Sequence, residues 1–443
     1  MKRKLLPAVI IAVMMMAAAT PAGAQQRYIV RTTGGLNSVL NLCLSASCQV
    51  QGSLDGPVGQ TYLVTSTGNI LQALLGGVVN LLEALLGIQS IEADRALPIP
   101  LPPINNAPYG LTDTTPVSYF GTGVTHGYAA QPAGQIIRLT DAHKGFGISG
   151  SGIVAVIDTG VDVNHPVLVP VLLPGYDFTR NQPGASEWLD WPLSGTPTGA
   201  GQSGVVQQQS AAILDQQSAA ILDGKPCGAF GHGTMTSGLV HLAAPTAKIL
   251  PLKAFTASGT GYLSNIIAAL YYAVQHKANV VNMSFDLSAP SPALSQAVSY
   301  ASRANVVLVA AAGNESTSAR VYPAAISGYV MGVASTTDWD AKSSFSNYGS
   351  ADVWIAAPGE YVISTFPGGS YAAASGTSFS SPLVAGTSAL LFNARSGLNQ
   401  SQAASALAHG RVLTPDLNHG RLDAYQAISA WKSAGSGWSW QGP

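Results

Sequence analysis

Ile153-Val154-Ala155-Val156-Ile157-Asp158-Thr159-Gly160 is the stretch on which the fold turns. Its first five residues are apolar without a break and mostly β-branched. That suits a strand buried on both faces of a parallel sheet rather than one with a wet face. A carboxylate and then a glycine close the run. Ala247 to Leu252, Val280 to Met283 and Val306 to Ala311 carry the same signature, and between them Ser264 to His276 and Pro292 to Ala304 place apolar residues at helical spacing. Strand alternating with helix across short turns predicts an α/β fold: a doubly wound, mostly parallel sheet with helices on both faces. Such sheets keep their chemistry at the carboxyl ends of the strands.

The chain ahead of this sheet reads differently. Lys2, Arg3 and Lys4 precede the apolar run Leu5 to Ala19, and Ala22-Gly23-Ala24 offers the small-residue cleavage pattern. Residues 1–24 therefore read as an export signal cut after Ala24. The apolar run falls short of the roughly 20 residues a membrane span needs. Arg27 to Arg31, Tyr62 to Val64 and Ile88 to Ala93 read as short strands. Ile70 to Ile88 has leucines at helical spacing and reads as an amphipathic helix that Gly76 and Gly77 can break. Leu97 to Pro108 carries Pro98, Pro100, Pro102, Pro103 and Pro108 without helix or strand pattern, the mark of a linker. The expected divisions are a small α/β domain with its linker over 25–115, a main domain over 116–430 and a tail over 431–443. Gln208 to Asp215 recurs at once as Gln216 to Asp223, a tandem duplication that a surface loop tolerates.

Composition excludes several partners. Formal net charge is −1 and only 9% of residues are charged. No global field would gather nucleic acid or an anionic membrane, so neither is expected as a partner. Cys43 and Cys48 stand close enough to pair in an oxidising compartment, which leaves Cys227 over. Hydrophobic packing, not a disulfide framework, must then hold the fold. With no CxxC pair and no HExxH helix, spacing supports no zinc site.

Three short segments carry nucleophile chemistry. Asp158 closes the buried strand, His232 stands between Gly231 and Gly233 at a helix start, and Ser378 opens the apolar helix running through Ala385 to Phe392. Each alone has a bland explanation, since Asp and Ser are ordinary caps. Together, in the order Asp, His, Ser, with Gly231-His232-Gly233-Thr234 and Gly376-Thr377-Ser378-Phe379-Ser380-Ser381-Pro382 around them, they resemble the subtilisin-like serine peptidases. The resemblance covers roughly residues 128–428. It includes Asp162-Val163-Asn164-His165-Pro166, Gly175 to Phe178, Ala247 to Lys253, Ala311-Ala312-Gly313-Asn314 and Tyr322-Pro323-Ala324.

The resemblance implies a subtilisin-like fold and a secreted serine endopeptidase with Asp158, His232 and Ser378 as its triad. His232 would take the proton from Ser378 and return it to the leaving amine. Asp158 would hold the imidazole in the useful tautomer. Asn314 would donate to the tetrahedral oxyanion beside the Ser378 backbone N–H. A peptide substrate would lie as an added strand between Ser258-Gly259-Thr260-Gly261 and Met283 to Asp286, with Ser284, Phe285, Ala311, Ala312 and Gly313 around the side chain before the cut bond. Asp286 departs from the family, which has glycine there. It would narrow the pocket mouth or favour a basic residue, or else point to solvent without effect; the last reading is preferred. The other histidines match no triad position, and Cys227 reads as an inert packing residue.

By the same resemblance the front segment is an inhibitory propeptide removed by self-cleavage, so the chain's own propeptide and polypeptide substrates are its expected partners. The mature protein is expected to be an exported monomer, periplasmic or extracellular, without a stable membrane span. No cofactor is required for the chemistry, and structural calcium has no assignable ligands. Three rivals remain: a non-catalytic scaffold of the same fold, a ligase or cyclase using the same acyl-enzyme, and the acid-acting group with a Ser-Glu-Asp triad. The histidine between Gly231 and Gly233 argues against the last.

Overall fold

A computed structural model describes residues 25–67, 70, 87–99, 109–191 and 229–434. The export signal, the leucine-rich stretch after Ile70, the 208–223 duplication, Cys227 and the final residues lie outside them. The chain divides into two compact units, Met1–Arg95 with Ser291–Ala293, and Ala96–Pro290 with Leu294–Pro443.

In the first unit, β1 (Gln26–Thr32), α1 (Gly35–Ala46), β2 (Cys48–Ser53), β3 (Thr61–Ser66) and β4 (Ile88–Ala93) form a four-stranded sheet in the order β2-β3-β1-β4 with one helix. The β1–β3, β1–β4 and β2–β3 pairs are all antiparallel. Tyr28, Val30 and Val64 send one face inward against Val39 and Leu42 of α1. The helix ends at Ser47 in the left-handed conformation, and the Cys43–Cys48 disulfide bridges that turn. Neither α1 nor β2 was expected from the sequence.

The second unit begins with β5 (Ala96–Pro98), a correction to the reading of Leu97 onward as a linker without strand. There follow β6 (Pro116–Tyr119), β7 (Thr122–Thr125), α2 (His126–Ala129), α3 (Pro132–Ile136), α4 (Leu139–Phe146), β8 (Ile153–Asp158), β9 (Tyr176–Asp177) and β10 (Gln182–Pro183). Next come α5 (His232–Ala243), β11 (Lys248–Lys253), β12 (Thr260–Tyr262), α6 (Leu263–Gln275), β13 (Val280–Met283), α7 (Pro292–Arg303), β14 (Val307–Ala311), β15 (Met331–Thr336) and β16 (Ile355–Pro358). The hairpin β17 (Val362–Phe366) and β18 (Ser370–Ala374), then α8 (Thr377–Ala394), α9 (Gln400–Leu407) and α10 (Ala424–Ala434), complete it.

Eight strands make one sheet in the order β10-β9-β11-β8-β13-β14-β15-β16, parallel throughout except for the β10–β9 pair. The doubly wound expectation therefore holds. Its physical basis is the period of two in β8. Val154 and Val156 join the cluster that holds Met235 and Leu239 of α5 and Leu383 and Val384 of α8. The alternate residues Ala155 and Ile157 are equally buried. Both faces are thus dry, and a polar residue anywhere in the run would need a partner.

The chain leaves β8, builds β9 and β11 on one side, then crosses to β13 on the other. β8 is therefore the switch point, where the crevice of such a sheet opens. Register brings Lys253 opposite Asp158 and Met283 opposite both Ile157 and Ala310, so these four strands end within one residue of one another. Trp431, the first residue of the expected tail, lies buried in α10 and donates its indole N–H to Leu391 O at 3.1 Å.

Candidate active site

Asp158 is the last residue of β8 and almost wholly buried, so its carboxylate requires donors. Oδ1 accepts from the Thr159 N–H at 2.7 Å and lies 2.7 Å from His232 Nδ1. Oδ2 accepts from the Thr236 hydroxyl at 3.1 Å. His232 opens α5. Gly231 before it has φ +90°, and a Cβ there would fall 2.1 Å from the Phe366 ring. A Cβ on Gly233 would fall 2.0 Å from Gly160 O. Gly233 thus lets helix and strand turn touch backbone to backbone, and Gly231 leaves room for the Phe366 ring.

The Asp158 contact sets the tautomer. With Nδ1–H directed at a carboxylate, Nε2 keeps its lone pair, and that atom is buried with no hydrogen-bond partner. That nitrogen can accept a proton. Phe379, the residue after Ser378, packs its ring 5.3 Å from the imidazole.

Ser378 occupies the second position of α8, and its hydroxyl donates to Ser284 O at 3.1 Å. The Ser284 side chain returns the tie, donating from Oγ to Ser378 O at 2.8 Å and accepting from Asn282 Nδ2 at 2.8 Å. Ser381 Oγ donates to Asn282 Oδ1 at 3.0 Å. The end of β13 and the first turn of α8 are thereby tied together, and Ser284 spends its side chain inward.

Asn314 follows β14. Its Oδ1 accepts from the Thr377 N–H at 2.9 Å and the Thr377 hydroxyl at 3.0 Å, which fixes the amide and leaves Nδ2 as its donor end. Thr377 Oγ1 in turn accepts from Gly313 N at 3.2 Å. Ala311 and Ala312 are buried, and Gly313 takes φ +96°.

These neighbourhoods match the subtilase family over residues 150–425. The chain belongs to the subtilase family. The subtilase is 34% identical to thermitase of Thermoactinomyces vulgaris over 63% of its own length and 89% of the relative's. It is 33% identical to subtilisin Savinase of Lederbergia lenta over 55% and 78%. A solved structure of a cold-adapted subtilisin-like serine proteinase aligns with a TM-score of 0.50 and 28% identity, covering 62% of this subtilase and 90% of that chain. The subtilase is a serine endopeptidase, and subtilases need no cofactor for catalysis. Among the described residues no group of three or more His, Cys, Asp or Glu could hold a metal ion.

Of the expected peptide-binding residues, Ser258 and Gly259 precede β12, and Thr260 and Gly261 lie within it. That strand is already paired. Pro98, Leu97 and Ala96 of β5 oppose Thr260, Gly261 and Tyr262 in antiparallel register, and Ile99 N donates to Gly259 O at 2.8 Å. Phe285 is buried with its ring 5.2 Å from that of Phe255.

Asp286 requires a correction. Its carboxylate does not point to solvent: Oδ2 is buried with no hydrogen-bond partner. Burial, and after it the negative charge of Glu315, pushes the carboxyl up to about 7. Glu315 itself is fixed by Asn314 N at 2.9 Å and Asn347 Nδ2 at 2.8 Å.

Sequence reasoning also missed a polar layer beneath the turn after β8. Lys253 is fully buried and donates to Thr159 O at 2.6 Å, Phe255 O at 2.8 Å and Asp190 Oδ2 at 2.6 Å. Burial works against the charge of Asp190, but Lys253 and Arg180 hold its carboxyl below the ordinary value. Beside them sits Glu187, wholly buried. No motif marks it; the bridge between Val161 and Ser186 brings that segment of chain to the site.

Proposed function

We propose that the subtilase cuts peptide bonds through Asp158, His232 and Ser378, as an exported enzyme made in a self-inhibited form. The observation that carries this reading is the buried, unpartnered Nε2 of an imidazole whose other nitrogen faces a carboxylate. In the reaction the Ser378 hydroxyl turns from Ser284 O to Nε2 and gives up its proton as Oγ attacks the carbonyl carbon. The imidazolium is balanced by Asp158, and its proton then goes to the leaving amine. The Ser378 N–H, at the first turn of α8, and Asn314 Nδ2 meet the oxyanion, with the helix N-terminus adding favourable field. Water repeats the sequence to release the acid.

The pairing of β5 with β12 supports the self-inhibited form. Ala96–Pro98 fills the edge where an added substrate strand would pair. This reading keeps the division into signal (1–24), inhibitory segment with linker (25–115), peptidase domain (116–430) and tail (431–443), with self-cleavage downstream of Ile99. Asp286 and Glu315 flank the two strand ends that meet Ser378 and Asn314, and together they favour a basic side chain before the cut bond.

Casein hydrolysis by purified protein, with and without a fluorophosphonate, tests this reading, with mass spectrometry of both partners. The expected result is cleavage that stops as Ser378 becomes labelled. A Ser378→Ala protein should accumulate as the longer precursor; trimming to the same mature start in a protease-free preparation would refute self-processing. Absence of both cleavage and label, from protein that has lost its front segment, would favour a non-catalytic scaffold.

A further inference from the structure

Glu187 lies outside every motif, in a short 3₁₀ turn over Glu187–Asp190, yet it is 0% exposed. A buried carboxylate must be held by donors. One oxygen accepts from the Thr159 hydroxyl in a short contact and from the Gly233 N–H at 3.1 Å. The other accepts from the Thr234 hydroxyl at 2.7 Å. Its own N–H donates to Val161 O at 3.1 Å.

Burial raises the Glu187 carboxyl, and the Thr159 and Thr234 hydroxyls, with Lys253 after them, act against that rise. Thr159 Oγ1 already accepts from Gly233 N at 2.9 Å, and Thr234 Oγ1 from Asp162 N at 2.8 Å. Each hydroxyl therefore has its proton to give, and each directs it at Glu187. A carboxylate accepts all of these bonds, whereas a carboxylic acid could donate to a threonine oxygen only if that hydroxyl turned its own proton away.

The partners also fix its reach. Thr159 follows Asp158, and Gly233 and Thr234 follow His232. We propose that Glu187 is a positioning residue: a buried anion that joins the turn after β8 to the first turn of α5 and so holds Asp158 against His232. It has a second effect through space. Asp158, Lys253 and Asp190 surround it, and its negative charge adds to that of Asp158 in favouring the imidazolium formed during the reaction.

The inference rests on the Asp158, His232 and Ser378 reading, and the test separates the two. Glu187→Gln keeps the shape and one acceptor oxygen but loses the charge and turns a donor toward Thr234. In processed enzyme, with competent sites counted by fluorophosphonate labelling, kcat should fall roughly ten- to a hundredfold with KM little changed, the scale of a misplaced reacting group. The acid limb of kcat/KM should move to lower pH, because losing a nearby anion makes the imidazole harder to protonate. In a Ser378→Ala background, the downfield imidazole N–H resonance should report the same downward move of the His232 titration. That readout needs no turnover, and a purely structural role would not alter it. Wild-type kcat and an unmoved His232 titration in the Glu187→Gln protein would overturn the inference while leaving the triad intact. Failure of the wild type to label at Ser378 would overturn both.

Discussion

His241, in the last turn of α5, should make stability fall steeply in mild acid. Its Nδ1–H donates to the Tyr128 hydroxyl at 3.0 Å, which itself donates to Gly238 O at 2.7 Å. Nε2 is buried with no partner, so a second proton there would meet no acceptor. The rings of Tyr119 and Tyr128 lie 6.1 and 6.3 Å away. Burial, and after it the neighbouring His165, draws the imidazole from 6.5 down to about 4. The unfolded chain thus takes up a proton near pH 6.5 that the folded protein refuses until about pH 4. Stability is fully present above the upper value and is lost as pH falls toward the lower one.

The whole window is worth about 3 kcal/mol, of which about 2 kcal/mol is lost between pH 7 and pH 5. His143 and His165 are also buried and depressed in the same direction, so the total fall should be larger. The assay is urea unfolding of the Ser378→Ala protein, which cannot digest itself, at both pH values. It is repeated with His241→Leu added. The second substitution shifts stability at both pH values, but its signature is a pH dependence shallower by about 2 kcal/mol. An unchanged pH dependence would refute the argument, whatever happened to stability itself.

Asn314→Ala should lower kcat by ~10²–10³ with little change in KM, as loss of one oxyanion donor does; an equal rise in KM would place Asn314 in ground-state binding instead. Asp286→Asn should reduce the preference for Lys or Arg before the cut bond at least about tenfold, measured as kcat/KM ratios on paired peptide substrates. In the unsubstituted enzyme that ratio should climb as pH rises through about 7, where the Asp286 carboxyl ionises, and the variant should show no such climb. Lys253→Met removes the cation that three oxygens share and should cost about 3–5 kcal/mol in urea unfolding of the Ser378→Ala protein. A loss under about 1 kcal/mol would mean that Arg180 alone satisfies Asp190.

How much was legible depended on where each residue draws its meaning. β8, β11, β13 and β14 were readable because burial on both faces forces a mostly apolar run, unbroken in β14, interrupted by Asn282 in β13 and bounded by lysines in β11. The proposed Asp158, His232 and Ser378 stand out in the sequence because each sits in a local backbone pattern of strand end, glycine or helix start. β16, with the sequence Ile355-Ala356-Ala357-Pro358, is too short to show a period. Pro98 hid β5, because proline reads as a strand breaker although an edge strand tolerates it. Asp286 and Glu187 have no local signature at all. The buried setting of each comes from elements far away in sequence, and a single chain read in order does not show that.

The pairing of β5 with β12 has a consequence for concentration. A strand joined to the protein it occupies competes at a fixed effective concentration, on the order of millimolar for a short linker. Dilution cannot lower that figure, and a peptide that binds more weakly will not displace the strand however slowly it is removed. Scission changes the order of the equilibrium: the same strand, once free, is diluted into the whole volume. Latency before the cut should therefore be independent of protein concentration. The lag after it should shorten as the solution is diluted, so the surroundings into which the enzyme is released would set when it becomes active.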